Sequence, residues 1–154
     1  MIEIRKSIPR GMLFLYDHNG KNIVIPDYDP QQTVVASSNA ISIATISDMD
    51  GEVDIKLCAS EEFFSSEMFK LFSNILNVDA GTLSICFMGD KKIASINTTS
   101  GSSLVEIYAN KRRFPSSVVI TVADGIGNEC NERNVGIEEE DSRIPKGSGN
   151  RRKM

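Results

Sequence analysis

Few residues in this chain are of types that do chemistry, and their spacing gives them no common task. His18 is the only histidine. It stands beside Asn19-Gly20, a strong turn signal, and reads as an exposed turn residue without the partners that acid–base catalysis needs. The cysteines are Cys58, Cys86 and Cys130, odd in number and widely spaced. They form no Cys-x-x-Cys pair and have no histidine at zinc-ligand spacing. Cys58 and Cys86 fall in strand-like stretches and read as buried thiols that pack as small hydrophobes. That usage favours a reducing compartment over a disulfide framework. Asp48-Met-Asp-Gly-Glu-Val-Asp54 invites a calcium reading. An EF-hand loop, however, needs oxygen ligands at alternate positions, then Gly at the sixth and Glu at the twelfth. Here Gly51 follows Asp50 directly and the next residues already alternate as a strand, so a hairpin turn is the better account. Glycine-rich phosphate loops are missing as well. The sequence therefore offers no catalytic residue, no metal site and no cofactor, and an enzyme is not expected.

The elements that would position these residues are strands. From Ala40 to Cys58, Ile41 and Ile43 alternate with Ser42 and Ala44, then Val53, Ile55 and Leu57 alternate with Glu52, Asp54 and Lys56. A period of two puts each set on one face, and Asp50-Gly51 between them suggests a hairpin with one dry face and one charged face. Ile2 and Ile4 suggest a short edge strand. Met12–Tyr16 is a second strand, with Asn22–Ile25 as its return after the Asn19-Gly20 turn. Residues 31–37 read as a short extended or single-turn segment.

Residues 60–76 are ambiguous. Ser60 could cap a helix whose face is Phe64, Met68, Leu71 and Ile75. The competing reading is a loop to about Glu67 and a strand from Phe69 to Val78. Further strands follow around Leu83–Phe87, Ile93–Asn97, Leu104–Tyr108 and Val118–Val122. Short strands with frequent turn signals mark an all-β fold, here an antiparallel β-sandwich with at most one short helix. Residues 1–123 form that single domain. Residues 124–154 hold few large apolar side chains and read as a disordered polar tail. The start of the chain shows no signal peptide, and no apolar run approaches the length of a membrane span. A cytoplasmic protein is expected.

Charge is the most informative feature. The whole chain carries a formal net charge of −4, which argues against direct nucleic-acid binding. Between Asp27 and Glu67 nine acids face one base, Lys56, whereas Lys91, Lys92, Lys111, Arg112 and Arg113 make residues 90–123 basic. Most charge runs are solvated faces. The functional reading is an acidic patch that steers toward a basic protein partner. Its residues would be Asp27, Asp29, Asp48, Asp50, Glu52 and Asp54.

Two stretches resemble the competence-nuclease inhibitor family and related bacterial immunity proteins, which are small and β-rich. The first is Asp27-Tyr-Asp-Pro-Gln-Gln-Thr-Val-Val-Ala-Ser-Ser-Asn-Ala-Ile-Ser-Ile43. The second is Asn74-Ile-Leu-Asn-Val-Asp-Ala-Gly-Thr-Leu-Ser-Ile85, continued by Lys92–Ile96, a turn at Gly101 and Leu104–Tyr108. The chain departs from that pattern by its tail and by the Phe-rich stretch at Phe63–Phe72. The resemblance implies a non-catalytic inhibitor that binds and occludes a basic nuclease or toxin. The rival reading is a structural or scaffolding interaction module.

Overall fold

The computed structural model describes residues 1–63, 67–98, 101–123 and 125–130. Eleven strands account for most of them: β1 (Ile2–Lys6), β2 (Met12–Tyr16), β3 (Val34–Ala36), β4 (Ala40–Ala44), β5 (Val53–Ala59), β6 (Phe69–Asn77), β7 (Thr82–Phe87), β8 (Lys91–Thr98), β9 (Ser102–Ala109), β10 (Ser117–Val122) and β11 (Gly125–Cys130). They form a five-stranded sheet of order β1-β5-β10-β9-β6 and a six-stranded sheet of order β11-β8-β7-β2-β4-β3. Every pairing is antiparallel except β5 with β10, which is parallel. The fold is the expected all-β sandwich.

The alternation in the sequence builds the core directly. Ile4, Val53, Ile55, Leu57, Ile107, Val118 and Ile120 point inward from the five-stranded sheet. Leu13, Leu15, Ile41, Ile43, Leu83, Ile85 and Ile96 meet them from the other sheet. Burying each such side chain contributes about 1.5–3 kcal/mol, which makes this inter-sheet layer the main source of stability.

Four sequence expectations are corrected. The stretch Ala40–Cys58 is not a hairpin, because β4 lies in the six-stranded sheet and β5 in the five-stranded one. The turn signal itself is real. Asp50 N–H donates to Ser47 O at 2.9 Å, and Gly51 adopts φ 130°. The turn lies within a connection, 45–52, that crosses from one sheet to the other. The edges of both strands are taken by other partners, β2 and β3 for β4, β1 and β10 for β5.

Second, Asn22–Ile25 is not a return strand, since β2 pairs with β4 and β7 instead. Side chains hold the segment in place of a ladder: Val24 N–H donates to Asn39 Oδ1 and Ser37 Oγ donates to Val24 O. Third, the possible helix near residue 60 is only a single 3-10 turn, Ser60–Glu62, and the strand reading of Phe69–Asn77 is the one found. Fourth, Gly125–Cys130, placed by composition in the tail, pairs antiparallel with β8. The rest of that tail, 131–154, lies outside the described residues.

A second layer covers the outer face of the six-stranded sheet. Ala40, Ser42, Ala44, Ser84 and Cys86 are small residues on that face, and all are buried. Tyr16, Phe14 and Ile23 pack there with Ala40 and Cys86. Ile23 comes from the loop after β2, so the loop lies against the sheet. Asp17 anchors it. Its Oδ1 accepts from Asn19 N–H at 2.9 Å and its Oδ2 from Ala80 N–H at 2.6 Å.

Candidate functional site

Two places concentrate functional groups. One is an end of the sandwich where connecting loops meet, and the other is a cavity on the outer face of the six-stranded sheet.

The end is assembled by backbone hydrogen bonds between loops far apart in sequence. Ala44 N–H donates to Thr33 O, Thr45 N–H to Gly11 O, Ile46 N–H to Pro115 O and Asp54 N–H to Ser116 O. These bonds draw the segments 26–33, 45–52 and 110–116 together beside Gly11. Gly11 is required at this junction. It adopts φ 66°, and a Cβ there would stand 2.7 Å from Thr45 O.

All the acids expected to bind a partner belong to this end. Asp27 and Asp29 lie in the loop before β3, and Asp48, Asp50 and Glu52 in the connection before β5, with Asp54 on β5 itself. They are not alike in what they offer. Arg5 on β1 reaches Glu52 at 3.6 Å and Asp54 at 3.4 Å, so those two carboxylates are partly neutralised. Asp29 is turned toward its own loop, accepting from Gln31 N–H and Gln32 Nε2. Asp50 accepts from Ser47 Oγ.

The basic segment expected to stand apart is woven into the same end. Arg113 Nη2 donates to Pro30 O, and Thr33 Oγ1 donates to Arg112 O. Charge there is mixed rather than purely acidic.

The signal that sequence reasoning missed is apolar. Tyr28 is 59% exposed and Met49 is 89% exposed. Tyr28 lies between Asp27 and Asp29, and Met49 between Asp48 and Asp50. Phe114 is also exposed at this end, as is Phe69, the first residue of β6, which pairs with Ala109. Arg113 and Arg112 lie over these two rings, at 5.2 Å and 4.5 Å from the centroids. The alternating Asp-Tyr-Asp and Asp-Met-Asp triplets were visible in the sequence as acids alone.

The cavity, of ≈ 470 Å³, is lined by Phe14, Tyr16, His18, Ile23, Phe87 and Asp90 among others. His18 is half-buried rather than a free turn residue. Its ring stacks on Tyr16 with centroids 6.3 Å apart, and its Nε2 lies 3.1 Å from Asp90 O. Tyr16 Oη donates to Asp90 Oδ1. Burial, reinforced by the Asp90 carboxylate, pushes the Tyr16 phenol well above its ordinary value. Burial also pushes the neighbouring Cys86 thiol up to about 12. Cys86 is therefore a neutral thiol, and with Cys58 it is buried and free of any disulfide, as its strand position suggested.

Among the described residues no helix is long and apolar enough to cross a membrane. No family model matches the chain, and no curated protein matches it. Among solved structures, the chain is similar to ComJ, inhibitor of the DNA degrading activity of NucA, from Bacillus subtilis. The match has a TM-score of 0.58 at 15% identity and covers 79% of this chain and 94% of that one. The resemblance to the competence-nuclease inhibitors expected from strand and turn pattern is thus found as a shared fold.

Proposed function

We propose that the protein is a non-catalytic inhibitor that binds a nuclease or toxin through the loop end of the sandwich and blocks access to its active site. The observation that carries this reading is the pair of acid-flanked, exposed apolar side chains, Tyr28 and Met49, at one end of a fold shared with a nuclease inhibitor. Aromatic residues, Met and Arg are the types enriched in protein interfaces, and a few such anchors supply most of the binding energy. Tyr28, Met49 and Phe114 would be the anchors. Asp27, Asp29, Asp48 and Asp50 would form the charged rim that speeds encounter with a basic partner. Glu52 and Asp54 belong to the same rim but contribute less, because Arg5 already faces them. Two buried thiols outside any disulfide, Cys58 and Cys86, agree with a reducing, cytoplasmic setting.

The test is binding kinetics against a nuclease captured from the host on the full chain. The joint variant Asp27→Asn, Asp29→Asn and Asp48→Asn should slow association by about tenfold at low salt and much less at high salt, because steering is screened over about 8–10 Å. Tyr28→Ser with Met49→Ser should instead speed dissociation. Unchanged kinetics in both variants would remove the site from this end.

The scaffolding reading has one observation in its favour: edge strand β6 exposes Phe69 and Ile75. Ile75→Lys separates the two readings. It would weaken binding only if the partner docks along β6.

A further inference from the structure

At the cavity on the outer face of the six-stranded sheet, lined by His18 and Asp90, these two side chains meet the buried Cys86, and the three donor atoms together suit a metal. His18 offers a ring nitrogen, Cys86 a sulfur and Asp90 a carboxylate oxygen, and these atoms all lie within 4.8 Å of one another. His18 is far in sequence from the other two, whereas Cys86 and Asp90 belong to one short stretch, Cys86-Phe-Met-Gly-Asp90. β2 and β7 bring them together, with Phe14 opposite Cys86 in the register, while the β7–β8 turn carries Asp90 and the loop after β2 carries His18.

We infer that His18, Cys86 and Asp90 form a binding site for one divalent transition metal ion, with zinc the ion their chemistry selects. Nitrogen, sulfur and a single carboxylate make a mixed, borderline-soft set, which suits zinc and excludes calcium or magnesium, both of which need all-oxygen shells. The spacing fits as well. With metal–ligand bonds of about 2.0–2.3 Å, neighbouring ligands of a tetrahedral zinc stand about 3.5 Å apart. His18 Nε2 and Asp90 Oδ2 already stand 3.4 Å apart; Nε2 would exchange its 3.1 Å contact with Asp90 O for the metal, and the widest separation, within 4.8 Å, would contract by at most about 1.3 Å.

The surroundings prepare the ligands. Tyr16 holds Asp90 Oδ1, which leaves Oδ2 on the side of His18. Such an outer hydrogen bond orients a ligating carboxylate. Cys86 is buried beneath the cavity, so a metal entering between His18 and Asp90 would take its thiolate from below, and the thiol proton would leave to solvent. Three protein ligands leave a fourth position facing the cavity, open to water or a small anionic ligand. A bound ion would also tie the loop after β2 to the β7–β8 turn.

The experiment is cobalt and zinc titration of the untagged full chain. Cobalt serves as a spectroscopic stand-in for zinc. The expected result is one equivalent bound, with a near-ultraviolet thiolate-to-cobalt charge-transfer band and intense visible bands of a tetrahedral ion, both bleached by zinc. Cys86→Ser should abolish the charge-transfer band. His18→Ala and Asp90→Asn should each weaken binding at least tenfold, while Cys58→Ser and Cys130→Ser leave it intact. Thermal unfolding of each variant without metal checks that the fold survives. Absence of the charge-transfer band, its survival in Cys86→Ser, or equal affinity in His18→Ala and Asp90→Asn would each overturn the inference.

Discussion

At the scale of single residues, the polar groups that matter most are those the fold has enclosed. Asp17 is 1% exposed and receives two backbone N–H groups, from Asn19 and Ala80. Asp17→Ala would leave both donors without a partner, and the expected loss is about 2–4 kcal/mol, read by urea unfolding. A loss under about 0.5 kcal/mol would mean that water replaces the carboxylate. Glu106 on β9 is a milder case. Ser73 donates to it, Lys70 and Tyr108 add to that, and its carboxyl lies below the usual value for glutamate. A lowered folded value means that the group stabilises the fold above the unfolded value of about 4.3, and that this contribution is lost as pH falls through the folded value. Glu106→Gln should therefore lower stability at neutral pH slightly, by less than about 1 kcal/mol, leave it nearly unchanged below the folded value, and so flatten the acid limb. A steeper acid limb in the variant would contradict the assignment. His18 shows what one sequence cannot reveal about a residue. Its turn was legible from Asn19-Gly20, but its contact with Asp90 depends on two strands pairing across some seventy positions, for which the chain gives no local sign.

At the scale of elements, period-two alternation located β1, β4, β5, β7, β9 and β10, and an apolar run of strand length located β2. Alternation does not say which strands pair, so nothing local shows that β5 belongs to the sheet opposite β4. The parallel pairing of β5 with β10 was equally illegible, since turn residues report only sequential neighbours. β11 was missed because Gly125-Ile-Gly-Asn-Glu-Cys130 has weak strand propensity and owes its form to the open edge of β8. It follows that the chain cut after Ala123 and the chain cut after Cys130 should differ. The first should melt at least about 5 °C below the full chain, since it strips hydrogen bonds from β8, and the second should melt with it. Equal melting of all three would show that β11 adds nothing to stability.

At the scale of the whole molecule, one end of the two-sheet sandwich gathers the connections 26–33, 45–52 and 110–116, and this gathering makes a surface out of distant loops. The sequence reading grouped those acids by charge, yet it set them apart from the basic segment 111–113, which the structure ties to the loop that carries Asp27 and Asp29. Steering by net charge is accordingly weaker than the sequence alone suggests. In the proposed inhibitor the exposed Tyr28 and Met49 would supply the larger share of the affinity. The most direct test titrates the full chain into nuclease fractions of the host and follows cleavage of linear DNA. The account expects cleavage in at least one fraction to stop near equimolar protein. It also expects a folded Tyr28→Ser, Met49→Ser variant to leave that cleavage running at the same concentration. Undiminished cleavage in every fraction at saturating full chain would contradict the account.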